Sequence, residues 1–267
     1  MKKLLLLICA ILIIGNANAQ EKKTEKDYKW SVGIQLNTPE RKIPNIEDQS
    51  ANGWDDGYLY NGESHNAITK DKTFALSLIG NYLLKDDNFL RCKVGFNNVD
   101  IKRLNDYRID SLDNTISNAF KKRTDFGVAF GIGKSLEIKH LNLYAGFELP
   151  FTFYGKTKFY YYYQANDVQT GTPLTSQEIS GTIFKAYSIG IGNFAGFTFK
   201  FSNFSIGGEI SYAFLYSKRL SESTFQVINK DLQTNTVTSG LDGTSNPKIS
   251  SFDMSKITGS ITLKYSF

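Results

Sequence analysis

Eight times along this chain, apolar and polar residues change places at every step. In "KWSVGIQL", Trp30, Val32, Ile34 and Leu36 share one face, with Lys29, Ser31, Gly33 and Gln35 opposite. "FALSLIGNYLL" groups Phe74, Leu76, Leu78, Tyr82 and Leu84, and "LRCKVGFN" groups Leu90, Cys92, Val94 and Phe96. "TDFGVAFGIG" sets Phe126, Val128, Phe130 and Ile132 against Asp125 and a run of small residues. The same rhythm returns in Leu141 to Phe151, Tyr187 to Phe201, Phe204 to Tyr216, and Ile257 to Phe267. Successive strand side chains point to opposite faces, so a period of two predicts strands lying between two different environments.

Connections alternate in length. "KDDN" (Lys85–Asn88), Ser135 to His140, and Ser202-Asn203 are short, whereas 37–71, 100–122, 155–180 and 218–252 are long and polar. An even strand number, short turns at one end and long loops at the other are the pattern of an up-and-down transmembrane β-barrel with both termini on the short-turn side. The fold expected is therefore all-β: an eight-stranded antiparallel up-and-down transmembrane β-barrel. Its apolar face would meet lipid, and its narrow lumen would take the face rich in glycine, among them Gly33, Gly95, Gly127, Gly131, Gly146 and Gly196.

The N-terminus supports export. Lys2 and Lys3 precede an apolar run from Leu4 to Ile14, and Ala17-Asn18-Ala19 offers small residues for cleavage before Gln20. The division expected is a signal peptide over 1–19, a short segment over 20–27 and the barrel over 28–267, exported by a Sec-type route. The mature chain keeps one cysteine, Cys92, which excludes a disulfide-stapled scaffold. Removing Lys2 and Lys3 takes the formal charge from +5 to +3, too mild an excess to imply nucleic acid as a partner. With 22 Gly, 20 Phe and 15 Tyr against 5 Pro, the composition suits a barrel with aromatic girdles.

The export signal, the eight alternating strands and the closing "ITLKYSF" together resemble the small outer-membrane β-barrel proteins of the Bacteroidetes type. The resemblance covers the mature chain by architecture and carries no private motif. It implies the outer membrane as location, periplasmic termini, and recognition of the C-terminal strand, ending in Phe267, by the barrel-assembly machinery. It implies no single activity.

Two sets of residues follow from the alternation. Arg91, Lys93, Asp125, Glu148, Glu209, Lys256 and Lys264 fall on the lumen side, where unpaired charges are costly, so a paired network plugging the barrel is expected. Trp30, Tyr82, Phe201, Phe204, Tyr265 and Phe267 would mark the periplasmic interface, and Phe74, Phe151, Tyr187, Tyr212 and Tyr216 the outer one. Ile261, Leu263 and Tyr265 of the last strand would face lipid.

The loops carry weaker signals. His65 lies beside Ser64 and Glu63, but adjacency in sequence is not the spatial arrangement a hydrolytic triad needs. "WDDGYLYNGE" (Trp54 to Glu63) lacks calcium-loop spacing. "FYYYYQ" (Phe159 to Gln164) reads as strand residues continuing a hairpin above the membrane, with Tyr160 and Tyr162 as candidates for a ligand surface at the loops. No metal site, cofactor or catalytic residue is expected. The function expected is structural or surface-interactive, non-enzymatic, in contact with outer-membrane lipid and lipopolysaccharide. A narrow, porin-like channel for small solutes and a lipid-modifying enzyme built on His65 are the alternatives.

Overall fold

The computed structural model describes residues 29–41, 68–109, 114–245, 250–255 and 257–267. The segments expected to be signal peptide, together with Trp54 to Glu63, His65 and Lys256, lie outside the described residues. Among those described there are fourteen strands and no helix. Eight of them close a ring. These are β1 (Trp30–Asn37), β3 (Phe74–Leu83), β4 (Asn88–Ile109), β5 (Asn114–Ile138), β6 (Leu141–Tyr154), β9 (Ala186–Phe201), β10 (Phe204–Arg219) and β14 (Thr258–Ser266). Each pairs antiparallel with the next, β4 joins β5, and β14 returns to β1 with Tyr265 opposite Val32. The eight are the segments in which the sequence alternates.

Burial is inverted relative to a water-soluble barrel. Phe130 is 61% exposed and Ile261 62%, whereas Gln35 is 0% and Glu209 4% exposed. Apolar side chains cover the outside and polar ones fill the inside, the arrangement of a transmembrane barrel. Cys92 lies exposed, on the outward side with Leu90 and Val94.

Three short turns lie at one end, with Asp86, Asp87, Lys139 and Ser202 in the left-handed region. Trp30 and Phe267 exchange backbone hydrogen bonds at the same end, so β1 begins where β14 finishes.

At the other end the described parts of the expected polar loops are largely strands. β4 and β5 run on well past the ring. Beyond the point where β6 leaves β5, the upper half of β5 takes a new neighbour, β7 (Thr157–Asn166). To β7 are added β8 (Pro173–Ile183), β11 (Ser223–Asp231) and β12 (Thr236–Ser245), in that order. β2 (Ile68–Asp71) extends β4, and β13 (Ser250–Met254) pairs with β10. The lumen face of β4 and β5 continues upward into this sheet, where Val99, Ile101, Ala119, Tyr161, Ile179 and Val227 are buried together, with Arg103 and Lys121 buried among them. Fourteen strands replace eight because this second, smaller core lets the hairpins pack instead of lying open to water.

Two hairpin tips share one turn. "DVQTGT" from Asp167 joins β7 to β8, and "DLQTNT" from Asp231 joins β11 to β12. In each the aspartate accepts backbone N–H bonds from the residues two and three ahead, and a left-handed residue follows, Gly171 or Asn235. In each tip the two threonine hydroxyls also bond each other, at 2.8 and 2.7 Å.

Candidate functional site

The lumen is built in layers, beginning near the short turns. Phe89 of β4, Tyr144 of β6 and Phe194 of β9 pack together and are buried. Glycines on neighbouring strands make room for the rings. A Cβ on Gly196 would sit 2.6 Å from the Tyr144 hydroxyl, and one on Gly146 would sit 2.7 Å from Phe194 Cζ. Lys264 of β14 sets its ammonium 4.6 Å from the centre of the Tyr144 ring, within cation–π range.

A charged layer follows. Arg91 of β4 reaches across to Glu209 of β10, donating from both terminal guanidinium nitrogens to the two carboxylate oxygens at 2.8 Å each. Glu209 also accepts from Gln35 Nε2 of β1 at 3.1 Å and from the Tyr144 hydroxyl at 3.1 Å. The Arg91 guanidinium lies 4.3 Å over the Phe194 ring. Glu148 of β6 is held more loosely, 3.8 Å from Arg91 Nε and 3.6 Å from Lys93 Nζ. Around the ring, β1 and β6 each stand midway between β4 and β10 on opposite sides. The four residues Arg91, Glu209, Gln35 and Glu148 thus brace the barrel from four quarters.

The mouth at the hairpin end carries a third layer. After β1, the chain turns inward at Glu40, whose backbone carbonyl accepts from Asn97 Nδ2 at 2.7 Å and from Arg123 Nη2 at 3.0 Å. The Tyr154 hydroxyl donates to its carboxylate at 3.2 Å. Asp125 sits beneath, paired with Arg123 Nε at 2.9 Å and accepting from Asn97 and the Gly155 N–H. Tyr154, Ile183, Phe184 and Ala186 bury one another above.

Of the lumen charges named from sequence, the structure brings Arg91, Lys93, Glu148 and Glu209 into one cluster, sets Lys264 against its aromatic floor, and places Asp125 in the mouth layer. Sequence reasoning missed Gln35, Tyr144, Phe89, Phe194, Arg123 and Glu40. Alternation gives the inward parity of the first five, but Glu40 lies beyond the end of β1 and carries no periodic signal.

The interface aromatics divide. Trp30 and Tyr82 pair at 4.6 Å, and Phe201 and Phe204 are exposed beside their turn. Tyr265 corrects an expectation. It lies on the outward side of β14 but is buried, because Phe204 at 5.0 Å and Phe267 at 6.3 Å cover it. Tyr160 and Tyr162 stand on the outward side of β7, away from the hairpin core. Tyr160 stacks on Phe120 at 5.4 Å, and Tyr162 donates to Gln164 at 2.8 Å.

No known family model matches the chain, and no curated protein matches it. Among solved structures it is similar to the outer membrane protein OprG from Pseudomonas aeruginosa, at 10% identity over 90% of this chain and 96% of that one, TM-score 0.38. It is similar to the outer membrane protease OmpT from Escherichia coli, at 10% identity over 93% and 99%, TM-score 0.38. It is also similar to Neisserial surface protein A, at 12% identity over 89% and 97%, TM-score 0.32. Identities and scores this low assign no activity; the fold stands on the strand pairing itself.

Proposed function

We propose that this chain is an outer-membrane barrel with a closed lumen, whose working part is the sheet carried above one mouth. The role is structural or surface-interactive, in contact with outer-membrane lipid. The bidentate bridge from Arg91 to Glu209 carries the reading: it crosses the lumen between facing strands, with aromatic rings below and the Glu40 segment above. In an eight-stranded barrel, side chains of this size are enough to fill the interior. Short turns belong in the periplasm and the long hairpins outside, which puts both termini in the periplasm and β14 where the assembly machinery would read it. Tyr160 and Tyr162 would then face outward above the membrane as a contact surface for an external ligand.

Planar-bilayer recording of the full chain tests closure. The expected result is no stable conductance; a steady open channel would overturn the reading in favour of a solute pathway. The lipid-modifying alternative rests on His65 and is tested by mass spectrometry of lipid A from cells carrying His65→Ala. An unchanged lipid A profile is expected.

A further inference from the structure

The outward face of β2, β4, β5 and β7, just above the apolar band, gathers lysines with little acid among them. Lys70 lies directly opposite Lys102, and Lys122 directly opposite Lys158. Lys72 donates its backbone N–H to Asp100, the residue across from Lys122. All five lysines are exposed, and alternation along β4 and β5 sets Lys102 and Lys122 on the side of Phe96 and Phe126. Like charges directly opposed across strands destabilise a sheet. Yet among the described residues none of the five is in an ion pair, and Asp100 is the one carboxylate set among them by the pairing. The short-turn end differs: there Lys200 bonds to Glu137, and Lys85 adjoins Asp86 and Asp87.

Height fits the same conclusion. Phe96 and Phe126, their ring centres 5.3 Å apart, are the last apolar outward residues of β4 and β5 below the lysines. Lys122 stands four residues further along β5, about 13 Å of strand and roughly 10 Å of height at a barrel's tilt. That lies beyond the acyl chains, at a height from which the long side chains of Lys122 and Lys158 reach back to the headgroups, with Lys70 and Lys102 one step higher. Four strands side by side make the patch roughly 15 Å wide. Within it, Phe120 lies across from Lys102 and stacks on Tyr160, adding an aromatic surface beside the cations.

We infer that this face binds the phosphate groups of the phosphorylated glycolipid in the outer leaflet. The inference deepens the reading above and rests on its orientation, with the hairpins outside. Lysine ammonium groups meet phosphate as point charges, and each near a charged surface contributes to retention that salt weakens.

The test uses the purified full chain in detergent micelles and bisphosphorylated lipid A as the probe, with retention read by native mass spectrometry. Lys102→Gln/Lys122→Gln/Lys158→Gln is expected to weaken retention at least about tenfold. Lys85→Gln/Lys134→Gln/Lys139→Gln, at the other end, is expected to leave it unchanged. Dephosphorylated lipid A is expected to bind the unaltered chain at least about tenfold more weakly than lipid A does, a comparison that needs no variant to fold. Equal retention by all three chains, equal retention of the dephosphorylated lipid, or equal competition by heparin would each overturn the inference. If those results came from a chain that still inserts into bilayers and stays closed, the barrel reading would survive; a chain recovered without detergent would end that reading.

Discussion

Arg91 and Glu209 meet across the barrel from strands four places apart in either direction around the ring, through two hydrogen bonds of 2.8 Å. A buried pair of this kind costs most when one partner is removed and the other stays charged. A guanidinium cannot shed its proton, whereas a carboxyl can take one up. Glu209→Gln is therefore expected to destabilise the barrel by about 3–5 kcal/mol, and Arg91→Leu by less. Arg91→Leu/Glu209→Gln should cost less than the two singles together. Glu148→Gln, with contacts of 3.6 and 3.8 Å only, should be milder than Glu209→Gln. Urea unfolding in micelles, followed by the gel shift of the folded barrel, orders the four variants.

Gly196 is one of the glycines at which the aromatic floor leaves no room for a side chain. A side chain there meets the Tyr144 hydroxyl at 2.6 Å and the Gly208 carbonyl at 2.6 Å, so backbone as well as side chain must yield. Gly196→Val is expected to cost about 1–3 kcal/mol by overpacking. Gly80, with nothing within 4 Å of an added Cβ, should accept alanine with little change in the same unfolding assay.

The hairpin core should fail independently of the ring. Ile179 is buried among Val99, Ile101, Tyr161 and Val227, none of which belongs to the lumen layers. Ile179→Ala is expected to cost about 2–5 kcal/mol locally. Limited proteolysis should then cut β8, β11 or β12 faster while the ring keeps its folded gel mobility. Loss of both together would mean that the two cores are one.

The twin turns make a pH prediction. The Thr170 N–H, the Thr170 hydroxyl and the Gln169 N–H hold the Asp167 carboxyl below the usual carboxylate range, and the Thr234 N–H does the same for Asp231. A lowered folded value means the turn's added stability is present above the ordinary aspartate range and is lost as pH falls through the lowered one. Protection of the Thr170 and Thr234 amides, measured against their intrinsic exchange rates at each pH, should fall together on acidification, and Asp167→Asn should flatten the response at the first turn only. Asn235→Gly, relieving a left-handed residue, is expected to slow exchange in the second tip.

Much of the ring was legible because lipid and lumen impose opposite demands at alternate residues. The same rule placed Arg91 and Glu209 on one side without saying that they would meet. That depends on which strands face each other across a closed ring, a property of closure and stagger. Apart from "FYYYYQ" in β7, the hairpin strands read as polar loops because their solvent-facing residues outweigh the few apolar ones. Around Ile179 and Val227, residues such as Gln177, Glu178, Thr224, Gln226 and Lys230 set the average. The doubled "D-x-Q-T" turn was visible in the letters and would have located both hairpins. Glu40 had no such marker, since its role comes from the groups that grip its backbone carbonyl.

The join between β1 and β14 has a consequence for how the molecule comes into being. It unites the ring strands farthest apart in sequence, and β1, at eight residues, is the shortest member of the ring. Bringing such distant segments together carries a large loop-closure cost that no earlier hairpin repays. The other seven joins can zip in chain order, leaving an open ribbon whose last free edges are β1 and β14. Closure is then the slow step, and the seam is where the finished cylinder would part most cheaply.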